Sequence, residues 1–158
     1  MAYQPRGRHF EDFKVGEVIE TSARTINPAD VTLFAGLSGD YNPLHTDEET
    51  AKRTPFGSRI AHGMLTVSIS TGQQNLTGLF EGTTLALLGM DRLRFTGPVK
   101  FGDTIHTEMT VREVKESSRP DRGTVLLDVA VKNQRGDTVA TWDQAVLMAK
   151  RPVASSPR

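Results

Sequence analysis

The chain has 158 residues, of which 37% are hydrophobic and 24% charged, the size and balance of one compact domain. Its 19 basic side chains match 19 acidic ones, which gives no electrostatic reason to expect nucleic acid or an anionic membrane as a partner. With no cysteine present, disulfides, thiolate metal sites and cysteine nucleophiles are excluded.

The opening MAYQPRGRHFEDFKVGE lacks the apolar stretch of a secretory signal, and no run approaches the roughly 20 apolar residues that span a bilayer. The sequence therefore predicts a soluble, cytoplasmic protein. Both ends, residues 1–9 and 151–158, are rich in Pro, Arg or Ser without any period and are expected to be flexible. The domain is expected over residues 10–150.

Val15 to Ile26 is β-prone and predicts a first strand. Asn27-Pro28 then sets up a helix, with Asn27 as its N-cap and Pro28 at the first helical position. Val31, Leu33, Phe34 and Leu37 recur at near-helical spacing, and the helix should stop before Gly39. From Ser38 to Arg59 the chain is polar and turn-forming, with a brief helix over Asp47 to Arg53. A loop of that length in a small domain is usually functional. His62 to Leu76 reads as a buried helix, apolar on most sides and poor in charge, with small residues that admit close packing.

Four strand-like segments follow: Thr83 to Phe95, Thr104 to Val114, Gly123 to Lys132 and Val139 to Met148. Gly97-Pro98 marks a turn, and Asn133 to Asp137 joins the last two strands as a hairpin. Helices gathered early and strands gathered late predict an α+β fold, an antiparallel sheet curled around one helix.

The segment Gly39-Asp40-Tyr41-Asn42-Pro43-Leu44-His45-Thr46-Asp47 holds the chemistry-bearing residues. It sets a carboxylate and an imidazole five positions apart in a stretch that Pro43 stiffens. Adding water across a polarised double bond needs one group to take a proton from water and another to deliver one to carbon, and an Asp beside a His provides both. Asn42 would orient the pair through its amide. The same residues are also ordinary turn formers, and a loop can carry them for backbone reasons alone.

GDYNPLHTD, preceded by Phe34-Ala35-Gly36-Leu37-Ser38, resembles the signature of the MaoC-like, R-specific enoyl-CoA hydratases. The resemblance extends through Ala61-His62-Gly63-Met64-Leu65, Phe95-Thr96-Gly97-Pro98-Val99 and Gly102-Asp103-Thr104-Ile105, and so covers most of the chain. It implies a single hot-dog domain, an antiparallel sheet wrapped around a long central helix. It also implies a hydro-lyase that interconverts a trans-2-enoyl-CoA and an (R)-3-hydroxyacyl-CoA. Asp40 then matches the aspartate that takes a proton from the attacking water. His45 matches the histidine that holds this water and completes proton delivery at the α-carbon. Gly63 matches the glycine whose N–H meets the thioester carbonyl, at a helix N-terminus where unpaired N–H groups face a developing oxyanion. The family also places a supporting hydroxyl on the central helix, a part for which Ser68, Ser70 and Thr71 compete.

His62 reads as a helix-start residue hydrogen-bonded by its surroundings, and His9 and His106 as solvated. No histidine and carboxylate cluster at ligand spacing is apparent, so no metal is expected. Trp142, Phe95 and Phe101 read as core or interface. No cofactor is expected, because water is the co-substrate and the coenzyme A thioester activates itself. The exposed sheet edge of such a domain, together with the resemblance, predicts a homodimer or higher homo-oligomer. Two rivals stand: a thioesterase of the same fold, and a non-catalytic acyl-thioester-binding subunit.

Overall fold

The computed structural model describes residues 3–152. Its elements, in chain order, are β1 (Val18–Glu20), β2 (Arg24–Thr25), α1 (Pro28–Ser38), α2 (Pro43–Thr46), α3 (Glu48–Lys52), α4 (Gly63–Leu76), β3 (Thr84–Phe95), β4 (Thr104–Glu116), β5 (Arg122–Asn133) and β6 (Thr138–Ala149). The strands form one sheet in the order β1-β4-β5-β6-β3, with β2 also on β4, and every pairing is antiparallel.

Period-two patterning decides which face of this sheet is buried. Ile105, Thr107, Met109 and Val111 of β4 point inward, as do Val125, Leu127, Val129 and Val131 of β5. The residues between them face solvent and carry ion pairs such as Lys132–Glu108 at 2.7 Å. Central helix α4 packs on the buried face with Leu65, Val67 and Ile69. Its buried side also bears polar residues, each with a partner. Gln73 donates to the Ile105 carbonyl at 2.7 Å, Gln144 donates to Gln74 at 2.8 Å, and Thr107 donates to Ser70 at 2.8 Å. A buried amide or hydroxyl left without a partner costs about 1–3 kcal/mol, so this network ties one helix register to one sheet register.

The structure refines several expectations. The predicted first strand is broken into β1 and β2, because Gln73 of α4 takes the Ser22 carbonyl at 3.2 Å and draws the chain off the ladder. The central helix is largely buried but leaves one side open: Met64, Ser68, Gly72 and Leu76, four residues apart, form an exposed stripe. In α1 the buried face is Val31 and Ala35, whereas Leu33 and Leu37 point outward. The ends, expected to be flexible, bond to the rest of the domain where they are described. The Gly7 and Arg8 amides donate to Glu81 and Leu79 at 2.9 and 2.8 Å, Arg6 pairs with Glu81, and Arg151 pairs with Asp12. Met1, Ala2 and residues 153–158, which the same expectation included, lie outside the described residues.

Candidate active site

The site begins where α1 ends. Gly39 takes a left-handed conformation (φ 76°), and its N–H closes on the Ala35 carbonyl at 2.8 Å, which turns the chain sharply. The Asp40 carboxylate then accepts the Asn42 N–H at 3.2 Å, and the Asn42 amide oxygen accepts the Leu44 N–H at 3.0 Å. These two side-chain turns, with Pro43 at the first helical position, start the short helix α2, which the sequence did not predict. Asp47 caps α3 by accepting from the Glu49 and Thr50 amides. The polar span from Ser38 to Arg59 is thus two capped helical turns rather than a bare loop.

Helix α2 carries His45 inward. Its Nδ1 lies 2.8 Å from the Ile60 carbonyl oxygen. A carbonyl only accepts, so Nδ1 holds the proton in that bond and Nε2 of the neutral ring is left as a bare acceptor. Ile60 is itself fixed, bridging to Lys100, while the next amide, Ala61, donates to Val99 at 2.8 Å. A segment that leads straight into α4 therefore anchors the imidazole.

Asp40, His45, His62 and Gly63 meet at one cavity of about 650 Å³, walled by Phe34, Phe56, Phe95, Val99 and Val139. Its lining is mainly apolar, with Ser38, Asp40, His45, His62, Thr66 and Thr96 as its polar residues. Gly63 is the first residue of α4, so its N–H has no carbonyl one turn back to receive it. The ring of Phe95 rests directly on Gly63: a Cβ there would stand 2.7 Å from the nearest ring carbon. Glycine at position 63 thus makes room for the Phe95 ring, apart from any need of an incoming ligand.

Asn42 stands apart from the cavity wall. Its side chain is used in capping α2, and its carbonyl receives the His45 N–H at 2.9 Å. It shapes the turn that carries the pair instead of reaching the pair with its amide. Of the three hydroxyls weighed on α4, Ser68 bonds back to Met64, Thr71 to Ser68, and Ser70 is buried beside Thr107. None of these three lines the cavity, whereas Thr66 does. Thr66 lies three residues beyond Gly63 and so on the same helix face, a spacing that was readable in the sequence. Phe95, expected in core or interface, is 50% exposed and forms cavity wall, while Trp142 is core. His106 stands 3.6 Å from both Glu20 and Glu108 on the outer face of the sheet.

The chief addition is His62. It is 2% exposed, and its ring stacks on that of His45 with centroids 3.9 Å apart and planes inclined at 31°. Asp40, His45 and His62 bring ligand atoms within 4.8 Å of one another, a cluster that the linear sequence did not reveal. One nitrogen of each ring already faces a main-chain carbonyl, His45 Nδ1 at Ile60 and His62 Nε2 at Asp40.

Comparison with known proteins places this geometry. The MaoC-like domain profile matches residues 12–133. The chain is 33% identical over 153 residues to a 3-hydroxybutyryl-CoA dehydratase of Methylorubrum extorquens, covering 94% of this chain and 88% of that protein. It is 40% identical over 107 residues to an (R)-specific enoyl-CoA hydratase of Rhodospirillum rubrum, covering 65% and 69%. The solved MaoC-like dehydratase from Rhodospirillum rubrum superposes with a TM-score of 0.84 at 32% identity, covering 93% of this chain and all of that one. The match to Protein MaoC of Klebsiella aerogenes spans only 32% of that longer protein. For the fold alone, a Mycobacterium tuberculosis protein with a double hotdog fold superposes with a TM-score of 0.83, this chain covering 48% of it. The molecule is a hot-dog domain, and the chain belongs to the MaoC-like domain family.

Proposed function

We propose that the protein adds water reversibly across a trans-2-enoyl-CoA to give an (R)-3-hydroxyacyl-CoA. The observation that carries this reading is the meeting of Asp40, His45 and the N-terminus of α4 at one largely apolar cavity. The Asp40 carboxylate takes one proton from a water held against the bare Nε2 of His45. The water oxygen bonds to the β-carbon, and the double-bond electrons move to the thioester carbonyl, where the Gly63 N–H receives the developing oxyanion. The proton held by Asp40 then passes to the bare Nε2 of His45 and from there to the α-carbon as the enolate electrons return, so the elements of one water are added and the dyad is restored. An oxyanion donor of this kind is worth on the order of 10²- to 10³-fold in rate. The apolar walls suit the hydrocarbon part of the acyl group and keep bulk water from the reacting carbons. Every proton and electron pair is accounted for by water, substrate and these side chains, so the reaction needs no cofactor or metal.

The reading includes assembly as a homodimer or larger homo-oligomer. Among the described residues, strand β3 pairs only with β6 and leaves its other edge free, and Leu85, Leu87 and Leu88 along it are 47%, 51% and 55% exposed. An apolar free edge favours pairing with a second copy. It also includes action in the cytoplasm, in keeping with the lack of any helix, among the described residues, long and apolar enough to cross a membrane.

The test is a spectroscopic hydration assay over a series of trans-2-enoyl-CoA chain lengths, with free thiol followed in parallel. Loss of enoyl absorbance without thiol release is expected. Thiol release without hydration would replace the reading with a thioesterase, and binding without turnover would leave a non-catalytic subunit.

A further inference from the structure

His62 touches all three parts of the site. Its Nε2 lies 2.9 Å from the Asp40 carbonyl oxygen, so in that bond Nε2 carries the proton and donates it to the main chain of the residue that bears the carboxylate. Its ring stacks on His45 at 3.9 Å, and Phe34 packs on it at 5.0 Å with a 53° tilt. Its own carbonyl belongs to the peptide unit that supplies the Gly63 N–H, and that carbonyl is held by the Thr66 amide at 3.2 Å. The Asp40 carboxylate, the His45 Nε2 and the Gly63 N–H therefore share one support.

The other ring nitrogen, Nδ1, is buried and has no hydrogen-bond partner among the described residues. An orphaned acceptor at 2% exposure lowers stability. A phenylalanine would fill much the same space beside Phe34 and His45 without that penalty. Packing alone does not account for a histidine here, and the bond to Asp40 is the one thing a phenyl ring would lose.

We propose that His62 is a positioning residue for the hydration reaction. By donating to the Asp40 main chain while packing against His45 at a 31° tilt, it fixes the distance between the group that takes the water's proton and the group that holds the water. It also sets both against the Gly63 N–H. His62 does not itself exchange a proton with the substrate. The inference rests on the hydratase reading above.

The experiment compares wild type, His62→Phe and His62→Gln in the full chain with a four-carbon trans-2-enoyl-CoA. The Phe variant keeps a ring against His45 and removes both the donor and the orphaned nitrogen. The Gln variant keeps an amide N–H within reach of the Asp40 carbonyl and gives up the stack. For His62→Phe the melting temperature should equal or exceed that of wild type, with KM within about two-fold and kcat down by about 10- to 100-fold, the scale of a misplaced reacting group. His62→Gln should keep more of kcat than His62→Phe. Ring ¹⁵N spectra of the wild-type protein should show His62 protonated at Nε2, a readout independent of turnover and of whether either variant folds. Wild-type kcat in His62→Phe, or a His62 ring protonated at Nδ1, would overturn the inference and leave the hydratase reading intact. An inactive wild type would overturn both.

Discussion

The close approach of Phe95 to Gly63 makes a quantitative prediction. Replacing Gly63 with Ala would put a methyl carbon 2.7, 2.8 and 2.9 Å from three carbons of the Phe95 ring, where unstrained carbons sit at about 3.5–4.0 Å. The ring must retreat by about 1 Å. Overpacking of this kind costs about 1–3 kcal/mol in a closed core, but Phe95 is 50% exposed and can swing toward solvent, which favours the lower end. Alanine in place of glycine in a helix returns up to about 1 kcal/mol. Gly63→Ala should therefore leave global stability nearly unchanged while moving a cavity wall. Phe95→Ala alone should cost about 1 kcal/mol, roughly half the value of a fully buried phenyl. In the double variant the clash disappears, so the two effects should fail to add by about 1 kcal/mol or more, in the favourable direction. Urea unfolding of the four proteins measures this coupling, and hydration kinetics on the same set should show Gly63→Ala slowed and partly recovered by Phe95→Ala. Strict additivity in both assays would mean that the ring does not rest on the glycine, and the steric account of position 63 would fail.

Asn42→Ala should lower stability by about 1 kcal/mol, the usual cost of a lost N-cap, and reduce kcat more than it raises KM, because it loosens the turn that carries His45; an increase confined to KM would instead make Asn42 a substrate contact. Asp103 bonds to the Lys100 amide at 2.8 Å, to Gln134 at 2.7 Å and to Arg135 at 3.2 Å; burial pushes its carboxyl up, and these bonds outweigh burial and hold it below the usual carboxylate range. Its lowered native value means that the stability it supplies is full above about pH 4, the unfolded value, and is lost as pH falls further. Asp103→Asn should thus cost about 1–3 kcal/mol at neutral pH, a gap that narrows in melting curves taken below pH 4, whereas a gap independent of pH would refute the charge-based account. Leu87→Lys on the free edge of β3 should shift light scattering from an oligomer to a monomer, and an unchanged mass would move the interface elsewhere.

The sheet was legible because β4 and β5 alternate along their buried lengths: a period of two admits one inward face, and Ile105 and Val125 fall on it. The caps at Asn27 and Gly39 were legible because each serves a local backbone need. What the sequence hid depended on contacts between distant segments. The break between β1 and β2 arises from Gln73, 51 residues away from Ser22. The outward face of α1 and the exposed edge of β3 are apolar in composition, so hydrophobicity alone could not separate them from core. Within the site, Asp40, His45 and Gly63 stood out through a local motif and converge on one cavity. His62 and Phe95 belong beside them only because the Asp40 turn and the end of β3 arrive at the N-terminus of α4.

The central claim is that the Asp40 carboxylate takes the proton from the attacking water. Asp40→Asn isolates that chemistry, since an amide oxygen can still accept the Asn42 N–H that now binds Oδ1 at 3.2 Å and the side chain keeps its shape. The decisive measurement is the single-turnover hydration rate of Asp40→Asn, with its melting temperature shown to match wild type. A fall on the order of 10²- to 10⁴-fold, as for loss of a proton-transfer group, is the predicted result. A folded Asp40→Asn protein that hydrates enoyl-CoA at a near-normal rate would contradict it.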